Sequence, residues 1–367
     1  MCDRWPWDGS VTIPKLPITF NWHLYHEKTY FWPFVYLGAI TLLYFGTFLL
    51  LVVTQSIWLK CGCGVLCSFA AGQLFVIGHD ACHNSFTPSA RLNRFFGTLS
   101  LALSFHVYSL WEFGHNKIHH PFTNLRTKDF VWRPLSLEEY RSLSLPRRAL
   151  QRIYRARSSI GFPLYYLLEI LLPRMVFPSR GIFRRRFVVW DVAVFYAVWT
   201  VLFTVLVFGE YMAQGNISLS AMVINLMAGF VGPLIYVCWA IGFVVYFNHT
   251  HPSIPWHESP RTWNYWEAQQ HCTLHLTFSS LTRFLLPSEV MNHVVHHLDT
   301  RIPVRHLGKA QEAFNRLHKV KTVVWTPALH ADILSRCKLY DYAASQWLDF
   351  DGNVTGPSDL ECRGVSA

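Results

Sequence analysis

The sequence contains few charged residues for its length. Asp, Glu, Lys and Arg make up 15% of the 367 residues, against roughly 25% in an ordinary soluble domain. Hydrophobic residues account for 51% of the chain, a share that indicates a protein embedded in a lipid bilayer. Because apolar and polar stretches alternate throughout, no boundary between domains is evident, and we predict a single domain over residues 1–367.

Signatures of several other protein classes are missing. No zinc-finger or RNA-binding motif accompanies the net charge of +10, so nucleic acid is not an expected partner. Residues 1–20 lack the continuous apolar run of a cleaved signal peptide. The nine cysteines are an odd number and several lie in apolar runs, which argues against a disulfide framework.

Four apolar stretches are each long enough to cross about 30 Å of hydrocarbon. They cover residues 31–54, 57–78, 187–209 and 219–247. A further stretch, residues 95–111, is shorter and is interrupted by Ser and His, which favours an interfacial or re-entrant segment. The sequence therefore predicts an all-α integral membrane protein with about four transmembrane helices and a cytosolic helical cap.

Positive charge is distributed unevenly between the polar segments. Of the 32 Lys and Arg residues, 17 lie in residues 79–186, 11 in residues 248–367 and three before residue 31, which leaves Lys60 alone for the two opposite-side loops. Lys and Arg accumulate on the cytosolic side of membrane proteins, so both long polar segments and the N-terminus are expected there. The Asn216-Ile217-Ser218 sequon in an opposite-side loop adds weak evidence for a glycosylated lumen.

This topology divides the chain into an N-terminal interfacial segment (1–30), a membrane core with its cap (31–310) and a C-terminal cytosolic tail (311–367). Arginines are dense in residues 141–186, where they alternate with Leu, Tyr and Ile. Two interpretations of this segment stay open. It is a helix on the membrane surface that faces anionic headgroups, or it is a docking site for an acidic electron-transfer protein.

Nineteen histidines are present, and eight of them fall into three short groups. The groups are HDACH (His79, His83), HNKIHH (His115, His119, His120) and HVVHH (His293, His296, His297). Residues three or four apart share a helix face, so the first two histidines of each group are expected to point at one metal ion. His120 and His297 project about 100° away from their neighbours, towards a second ion. Eight imidazoles therefore suit a pair of ions held by the cap.

The ligand type alone does not identify the metal, because imidazole binds Zn, Cu, Fe and Ni. A zinc protease would need Glu after the first histidine, where this chain has Asp80, and a ferritin-like site would need Glu-x-x-His pairs. A metal transporter is the more distant alternative, since its ligands would lie deep inside the membrane spans, whereas these groups lie at the cytosolic ends of the predicted helices.

The histidine groups stand in longer motifs. These are GHDACHNSF, WEFGHNKIHHPFTN with Asp129, Trp132 and Pro134 behind it, NHTHP and HVVHHLDTRIP. Over roughly residues 72–310 the chain resembles the membrane fatty acid desaturases of the acyl-lipid omega-6 and omega-3 type. Two positions depart from that pattern: three residues separate His115 from His119, where this subgroup more commonly has two, and Ser288 stands near a position where a histidine is often found.

The resemblance implies a di-iron centre that uses O₂ as co-substrate to remove two hydrogens from adjacent methylenes of a lipid acyl chain. It also adds His249, in NHTHP, to the ligands. No catalytic residue beyond the ligands is expected. The implied ligand set is His79, His83, His115, His119, His120, His249, His293, His296 and His297.

Electrons for such a reaction would come from an external donor, ferredoxin or cytochrome b5, because the chain has no iron–sulfur cysteine pattern and no GxGxxG fingerprint. The resemblance implies the endoplasmic reticulum as the location in a eukaryote and the inner membrane in a bacterium.

The reaction itself has alternatives, because proteins with the same histidine groups also hydroxylate, epoxidise or form triple bonds. A carotenoid, a sphingolipid or an alkane stays open as the substrate.

Polar residues near the groups are candidates to hydrogen-bond the outer nitrogens of the ligand imidazoles. They are Asp80, Glu112, Asn116 and Asp129. Five other histidines are expected to be interfacial or to support the site from outside the ligand set, namely His251, His257, His271, His275 and His306. A reaction on an acyl chain also calls for a narrow apolar channel that excludes water.

Overall fold

The computed structural model describes residues 19–177, 186–215, 218–279, 288–318 and 320–356. Four features predicted from the sequence fall wholly or partly outside these residues. They are the first part of the interfacial segment (1–18), Arg184 and Arg185 of the arginine-rich segment, Asn216 and Ile217 of the sequon, and the end of the tail (357–367).

The described chain is mostly helical. In chain order its α-helices are α1 (Phe31–Val53), α2 (Ile57–Cys82), α3 (Ala90–Leu103), α4 (Tyr108–Gly114), α5 (Leu137–Ser142), α6 (Leu145–Tyr154), α7 (Gly161–Tyr165), α8 (Arg186–Gln214), α9 (Leu219–Leu226), α10 (Gly232–His249), α11 (Tyr265–His271), α12 (His293–Leu298), α13 (Val304–Leu317) and α14 (Pro327–Arg336). Short 3-10 helices cover Trp22–Tyr25, His120–Phe122 and Ser288–Met291, and π-helical segments cover His115–His119, Tyr166–Val176 and Met227–Val231.

Four helical segments are long and apolar enough to cross a membrane: Phe31–Val53, Ile57–Cys82, Phe187–Gln214 and Leu219–His249. The shortest has 23 residues, which corresponds to about 34 Å of helix. The prediction of an all-α protein with about four membrane-spanning helices is therefore confirmed. The second and fourth spans run a few residues beyond their predicted ends, and these extra turns carry His79 and His249 to the site.

Helix α2 lies at the centre of the bundle and packs against α1, α3 and α10. Close packing depends on small residues. A Cβ on Gly64 would lie 2.9 Å from the Cβ of Ala228, and one on Gly78 would lie 2.5 Å from the Cγ of Leu101. Any larger residue would push these helices apart.

A buried charged group joins all four spans at the end of the bundle away from His79. The ammonium group of Lys60 on α2 donates to the Oδ1 of Asn225 at 2.7 Å and to the carbonyl oxygen of Leu51 at 3.0 Å. The Oε2 of Glu210 lies 3.6 Å from the same nitrogen. A buried charge requires such partners, so the four spans are fixed to one another opposite the histidines.

The arginine-rich segment, residues 141–186, is not one continuous helix in its described part. One of the two interpretations of the sequence was a single helix on the membrane surface. The segment contains α5, α6 and α7, and α7 continues into the π-helical segment Tyr166–Val176. The breaks have local causes. Pro146 stands in the first turn of α6, where proline is tolerated but cannot continue a preceding helix, and a Cβ on Gly161 would lie 2.7 Å from the Cα of Tyr154.

The segment predicted as a tail contains regular structure in its described part. Strand β1 (His275–Thr277) pairs in parallel with β2 (Thr322–Val324), and β3 (Leu339–Asp341) pairs antiparallel with β4 (Gln346–Leu348). Leu334, Tyr340 and Trp347 are fully buried in the main core. Residues 320–356 therefore help to cover the cap.

Candidate metal centre

All nine histidines of the predicted ligand set lie close together. Four structural elements bring them there: the end of α2, the π and 3-10 turns that follow α4, the end of α10, and α12. Two groups of four have candidate ligand nitrogens within 4.8 Å of one another. The first cluster is His79, His83, His115 and His296, and the second cluster is His119, His249, His293 and His297.

The ninth histidine, His120, lies between the two clusters. Its Nε2 is 3.1 Å from the Nε2 of His115 in the first cluster. Its ring centroid is 4.2 Å from that of His297 in the second cluster. His120 is 5% exposed, so this position is shielded from solvent and can serve either cluster.

The spacing of the ring nitrogens fits metal coordination. The Nε2 atoms of His79 and His115 are 2.9 Å apart, and those of His249 and His293 are 3.0 Å apart. Two imidazoles bound to one ion at about 2.1 Å place their nitrogens roughly 3.0–3.4 Å apart. Two unprotonated nitrogens at this distance repel each other, and a shared cation removes that repulsion.

Buried nitrogens without hydrogen bonds give a second test of the fit. The Nε2 atoms of His83, His119 and His296 are buried and have no hydrogen-bond partner within the described part of the chain. Buried polar groups are almost always hydrogen-bonded, so these three nitrogens need another kind of partner. A metal ion in each cluster would supply it.

In the second cluster, the outer nitrogen of every ring has an acceptor. The Nδ1 of His119 lies 3.2 Å from both carboxylate oxygens of Asp129. The Nδ1 atoms of His249 and His293 lie 3.2 and 3.0 Å from the carbonyl oxygens of Cys272 and Val290. The Nδ1 of His297 lies 2.8 Å from the Oε1 of Gln269. These contacts place the proton on Nδ1 and leave each Nε2 free to bind a metal.

The first cluster has a different environment. The Nδ1 of His79 is buried without a hydrogen-bond partner among the described residues, and the same is true of the Nδ1 of His120 beside it. Ring stacking supports the cluster instead: the indole of Trp111 stacks on His115 with centroids 4.8 Å apart. Packing against Trp111 therefore helps to position His115, whereas the Nδ1 of His79 has no acceptor among the described residues.

Burial keeps these imidazoles neutral. It lowers the pKa of six ligand histidines outside the membrane spans, namely His83, His115, His120, His293, His296 and His297. For His293 the pKa falls to about 3. A neutral imidazole is the form that binds metal, so the clusters are ready for ions at neutral pH.

The pairing of histidines expected from the sequence is wrong for two of the three groups. Only His79 and His83 share a cluster, whereas His115 is separated from His119 and His293 from His296. In the second group, residues 115–119 form a π-helical turn, which has more residues per turn than an α-helix, and it is His115 and His120 whose Nε2 atoms lie 3.1 Å apart. In α12 it is His293 and His297, four residues apart, that share a face, and His296 turns to the first cluster.

Of the four polar candidates, Asp129 contacts a clustered histidine. The other three have different partners: Asp80 accepts from the backbone N–H of Val304 at 3.0 Å, the amide of Asn116 donates to the carbonyl oxygen of Cys82 at 2.9 Å, and Glu112 is a half-buried carboxyl whose pKa is raised by burial. The five further histidines, His251, His257, His271, His275 and His306, lie outside both clusters.

Comparison with known proteins gives a match over most of the chain. The sequence model described as "Fatty acid desaturase" matches residues 55–327. The chain belongs to the fatty acid desaturase family. This confirms the resemblance seen in the sequence motifs.

Individual desaturases are similar at low identity. The chain is 27% identical to the chloroplastic omega-6 fatty acid desaturase of Arabidopsis thaliana over 76% of its own length and 58% of the relative's. It is 26% identical to the sn-1 acyl-lipid omega-3 desaturase (ferredoxin) of Nostoc sp. (strain 36) over 69% and 67% of the two lengths. It is also 26% identical to the sn-1 oleoyl-lipid 12-desaturase of Arthrospira platensis over 66% and 64%. The chain spans about three fifths of the length of the plant relatives.

The π turn accommodates the three residues that separate His115 from His119 in the second histidine group. The backbone N–H of His120 donates to the carbonyl oxygen of His115, five residues earlier. One residue inserted into an α-helix produces this hydrogen-bond pattern. Three residues between His115 and His119, where two are more common, therefore fit within a single helical turn.

Two residues that support the centre are not among the candidates chosen from the sequence. Gln269 on α11 and Thr123 after the second histidine group are fully buried, and both lie within hydrogen-bond distance of the Nδ1 of His297. Gln269 lies outside the sequence motifs, and Thr123 stands at the end of WEFGHNKIHHPFTN, where the motif alone assigns it no contact. Only the packing of α11 against α12 reveals them.

Two neighbouring apolar cavities border the clusters. The larger encloses about 550 Å³ of space, part of it open to solvent, contacts His79, His115 and His293, and follows α2 back to Gly72, a distance of about 10 Å along the helix. The smaller, of about 400 Å³, contacts His115 and His119. Both cavities are lined by Trp111, His115, Ile241 and Val245, so they are neighbours beside the histidines.

Proposed function

We propose that this desaturase binds two iron ions through its nine clustered histidines and introduces a double bond into a lipid-linked acyl chain with O₂ as co-substrate. One observation carries the proposal: two sets of four imidazoles lie together, and members of both sets line two neighbouring apolar cavities. A metal pair beside an apolar channel suits a reaction on a hydrocarbon chain.

The first cluster is proposed to hold one ion and the second cluster the other, with His120 available to either. Among the described residues, both clusters consist of histidines alone, without a carboxylate or a thiol. When bound, the iron pair supplies O₂ activation, and the overall reaction consumes O₂, two electrons and two protons to convert two adjacent methylenes into a cis or trans alkene and two waters. No acid or base side chain is needed for substrate binding.

The residues of the chain would orient the acyl chain and exclude water. Phe75 and Val76 of α2 face Ile241, Val244 and Val245 of α10 across the larger cavity. An acyl chain between these apolar walls would have its methylenes held beside His79 and His115. Fixing a flexible chain in this way lowers the entropic part of the barrier, and the absence of water protects a reactive oxidant.

The lining of the smaller cavity suits the remainder of the acyl chain. Trp132, Tyr165, Ile170 and Met175 form its wall beyond His119. The indole of Trp132 stacks on Tyr165 with ring centroids 3.7 Å apart and donates to the carbonyl oxygen of Gly242 at 3.0 Å. This rigid wall limits how far an acyl chain can extend past the clusters.

The distribution of Lys and Arg supports a topology in which the histidines face the cytosol. The membrane would be the endoplasmic reticulum in a eukaryote or the inner membrane in a bacterium.

An external donor would supply the electrons, either ferredoxin or cytochrome b5. The name of the Nostoc relative, which includes ferredoxin, supports the first of these. The names of the relatives support an omega-6 (delta-12) or omega-3 position.

The test is to express the chain, and separately its His296→Ala variant, in a host that lacks polyunsaturated lipids, and to determine the fatty acids and their double-bond positions. A new unsaturated acid made by the intact chain and not by the variant is expected. The position of the new bond then distinguishes the omega-6 from the omega-3 reaction.

The other reactions stay distinguishable in the same samples. A hydroxylated, epoxidised or acetylenic acid would replace the proposal with that reaction on the same site. An unchanged acyl profile, with expression verified and both donors supplied, would contradict acyl desaturation and direct the search to a carotenoid, a sphingolipid or an alkane.

A further inference from the structure

Gln269 connects two histidine groups that are far apart in the sequence. The residue lies on α11 and is fully buried. Its Nε2 donates to the carbonyl oxygen of His120 at 2.8 Å, and its Oε1 lies 2.8 Å from the Nδ1 of His297. One amide thereby joins the second histidine group to the third.

The orientation of the amide follows from its partners. A carbonyl oxygen can only accept a hydrogen bond, so the NH₂ group of Gln269 must face His120 and the amide oxygen must face His297. The Nδ1 of His297 therefore carries the proton, and its Nε2 faces the Nε2 of His293 at 3.1 Å. Gln269 thus holds His297 in the tautomer that can bind a metal through Nε2.

Thr123 completes this network. Its hydroxyl lies 3.1 Å from the Oε1 of Gln269 and 3.1 Å from the Nδ1 of His297. It also lies 3.0 Å from the carbonyl oxygen of His119. All of these groups are buried, so water does not compete for their hydrogen bonds, and the geometry at Gln269 is fixed on both sides.

The position of His120 makes this connection important for the metal centre as a whole. His120 touches His115 in the first cluster and His297 in the second. A residue that fixes the backbone of His120 and the ring of His297 therefore acts where the two clusters meet. Neither Asp129 nor the carbonyl groups of Cys272 and Val290 reach that place, since each contacts one histidine of the second cluster.

We infer that Gln269 is a positioning residue that sets the separation of the two metal ions by holding His120 and His297 at a fixed distance. The inference rests on the proposed function, because it requires an ion in each cluster. It assigns a role to a residue outside the histidine motifs.

The experiment compares the purified full-length chain with its Gln269→Leu and Gln269→Glu variants after loading with Fe(II). Leucine has a similar size but removes both hydrogen bonds. Glutamate keeps the acceptor for His297 but replaces the donor to His120 with an oxygen. The measurements are iron per chain, the iron–iron distance from X-ray absorption, and the magnetic coupling of the pair from Mössbauer spectra.

Both variants are expected to have a changed iron–iron distance and coupling. Their rate of iron loss to a chelator should rise roughly 10- to 100-fold, the usual effect of removing a partner of a metal-binding histidine. Gln311→Leu is the matched control. Gln311 is equally buried, accepts from the backbone N–H of Val295 and donates to Asn315, without contact to a clustered histidine, so its variant should lose thermal stability and keep the spectra of the parent chain.

The possible results separate the inference from the proposed function. If the parent chain binds two irons and both Gln269 variants keep its iron–iron distance and coupling, Gln269 has no positioning role. A parent chain that binds fewer than two irons would overturn the two-iron proposal and this inference together. If Gln269→Leu does not fold, Gln269→Glu decides, because its similar shape and single lost donor leave the core filled.

Discussion

The first and second clusters contain the same number of imidazoles but hold them by different means. Each Nδ1 of the second cluster has an acceptor in the chain, supplied by Asp129, Gln269 and the carbonyl groups of Cys272 and Val290. In the first cluster, the Nδ1 of His79 has none among the described residues. Hydrogen bonds to the outer nitrogen fix the tautomer and ring orientation and make the imidazole a stronger ligand. Ligand number alone therefore does not make the two sites equivalent.

The difference suggests a division of tasks within the proposed iron pair. A site with preorganised ligands retains its ion, whereas a site held by packing can rearrange its ligands during a reaction. The larger cavity contacts two residues of the first cluster, His79 and His115, and one of the second, His293. The smaller cavity contacts one histidine of each, His115 and His119, so both clusters border the space that an acyl chain would occupy.

The largest effect is expected from removing a ligand in either cluster. In His83→Ala or His119→Ala, three imidazoles remain in the affected cluster, so iron should fall from two to one per chain and product formation should be lost. Elemental analysis of the purified variants measures the first effect and acyl profiling the second.

His251→Ala is the control for the two ligand variants, because His251 lies outside both clusters and contacts Ser253. It should retain two irons. If His119→Ala also retained two irons and full activity, the second cluster would not be a metal site and the comparison between the clusters would fail.

The next effect concerns the rates at which the two ions leave. When the iron-loaded chain is mixed with an excess of chelator, iron should be lost in two phases that differ by roughly 10- to 100-fold, since hydrogen bonds to the outer nitrogens contribute about this factor to metal affinity. The fast phase is assigned to the first cluster and should be missing from His83→Ala. A single phase in the parent chain would show that the two clusters hold their ions equally well.

A smaller effect is expected from weakening one hydrogen bond of the second cluster. Asp129 accepts from His119 and from the backbone N–H groups of Asn124 and Val131, more than the single oxygen of an amide can satisfy. Asp129→Asn should therefore accelerate the slow phase of iron loss about 10-fold and reduce the free energy of unfolding by about 1–3 kcal/mol.

Asp191→Asn separates the two effects of the Asp129 variant. Asp191 is a buried carboxylate that pairs with Arg94 at 2.6 Å and accepts from the backbone N–H of Ser109, away from both clusters. Its variant should be less stable in thermal unfolding, with both phases of iron loss unchanged. Equal iron kinetics in the Asp129 and Asp191 variants would mean that Asp129 acts on folding and not on His119.

The sequence predicts much of the architecture and less of the arrangement within the site. Hydropathy locates the four spans because a helix that crosses a bilayer needs a long apolar run, and the motifs identify the nine histidines. The allocation of those histidines to clusters depends on how the ends of α2 and α10, the turns after α4 and α12 pack against one another, which a 3.6-residue period does not predict. Gln269 and Thr123 reach His297 through contacts between distant segments, and such contacts leave no local pattern. The ligand roles themselves stay a prediction.

The smallest effect is expected from shortening the π turn by deleting Lys117, whose side chain is exposed. The backbone N–H of His120 now donates to the carbonyl oxygen five residues earlier, that of His115. After the deletion the same two groups would be four residues apart, as in an α-helix. The two imidazoles should therefore keep their relative positions. The deletion variant should therefore bind two irons and show both phases of iron loss. Lys117→Ala controls for the side chain alone. If the deletion lost one iron while Lys117→Ala kept both, the wider turn itself would be needed to divide the second histidine group between the clusters.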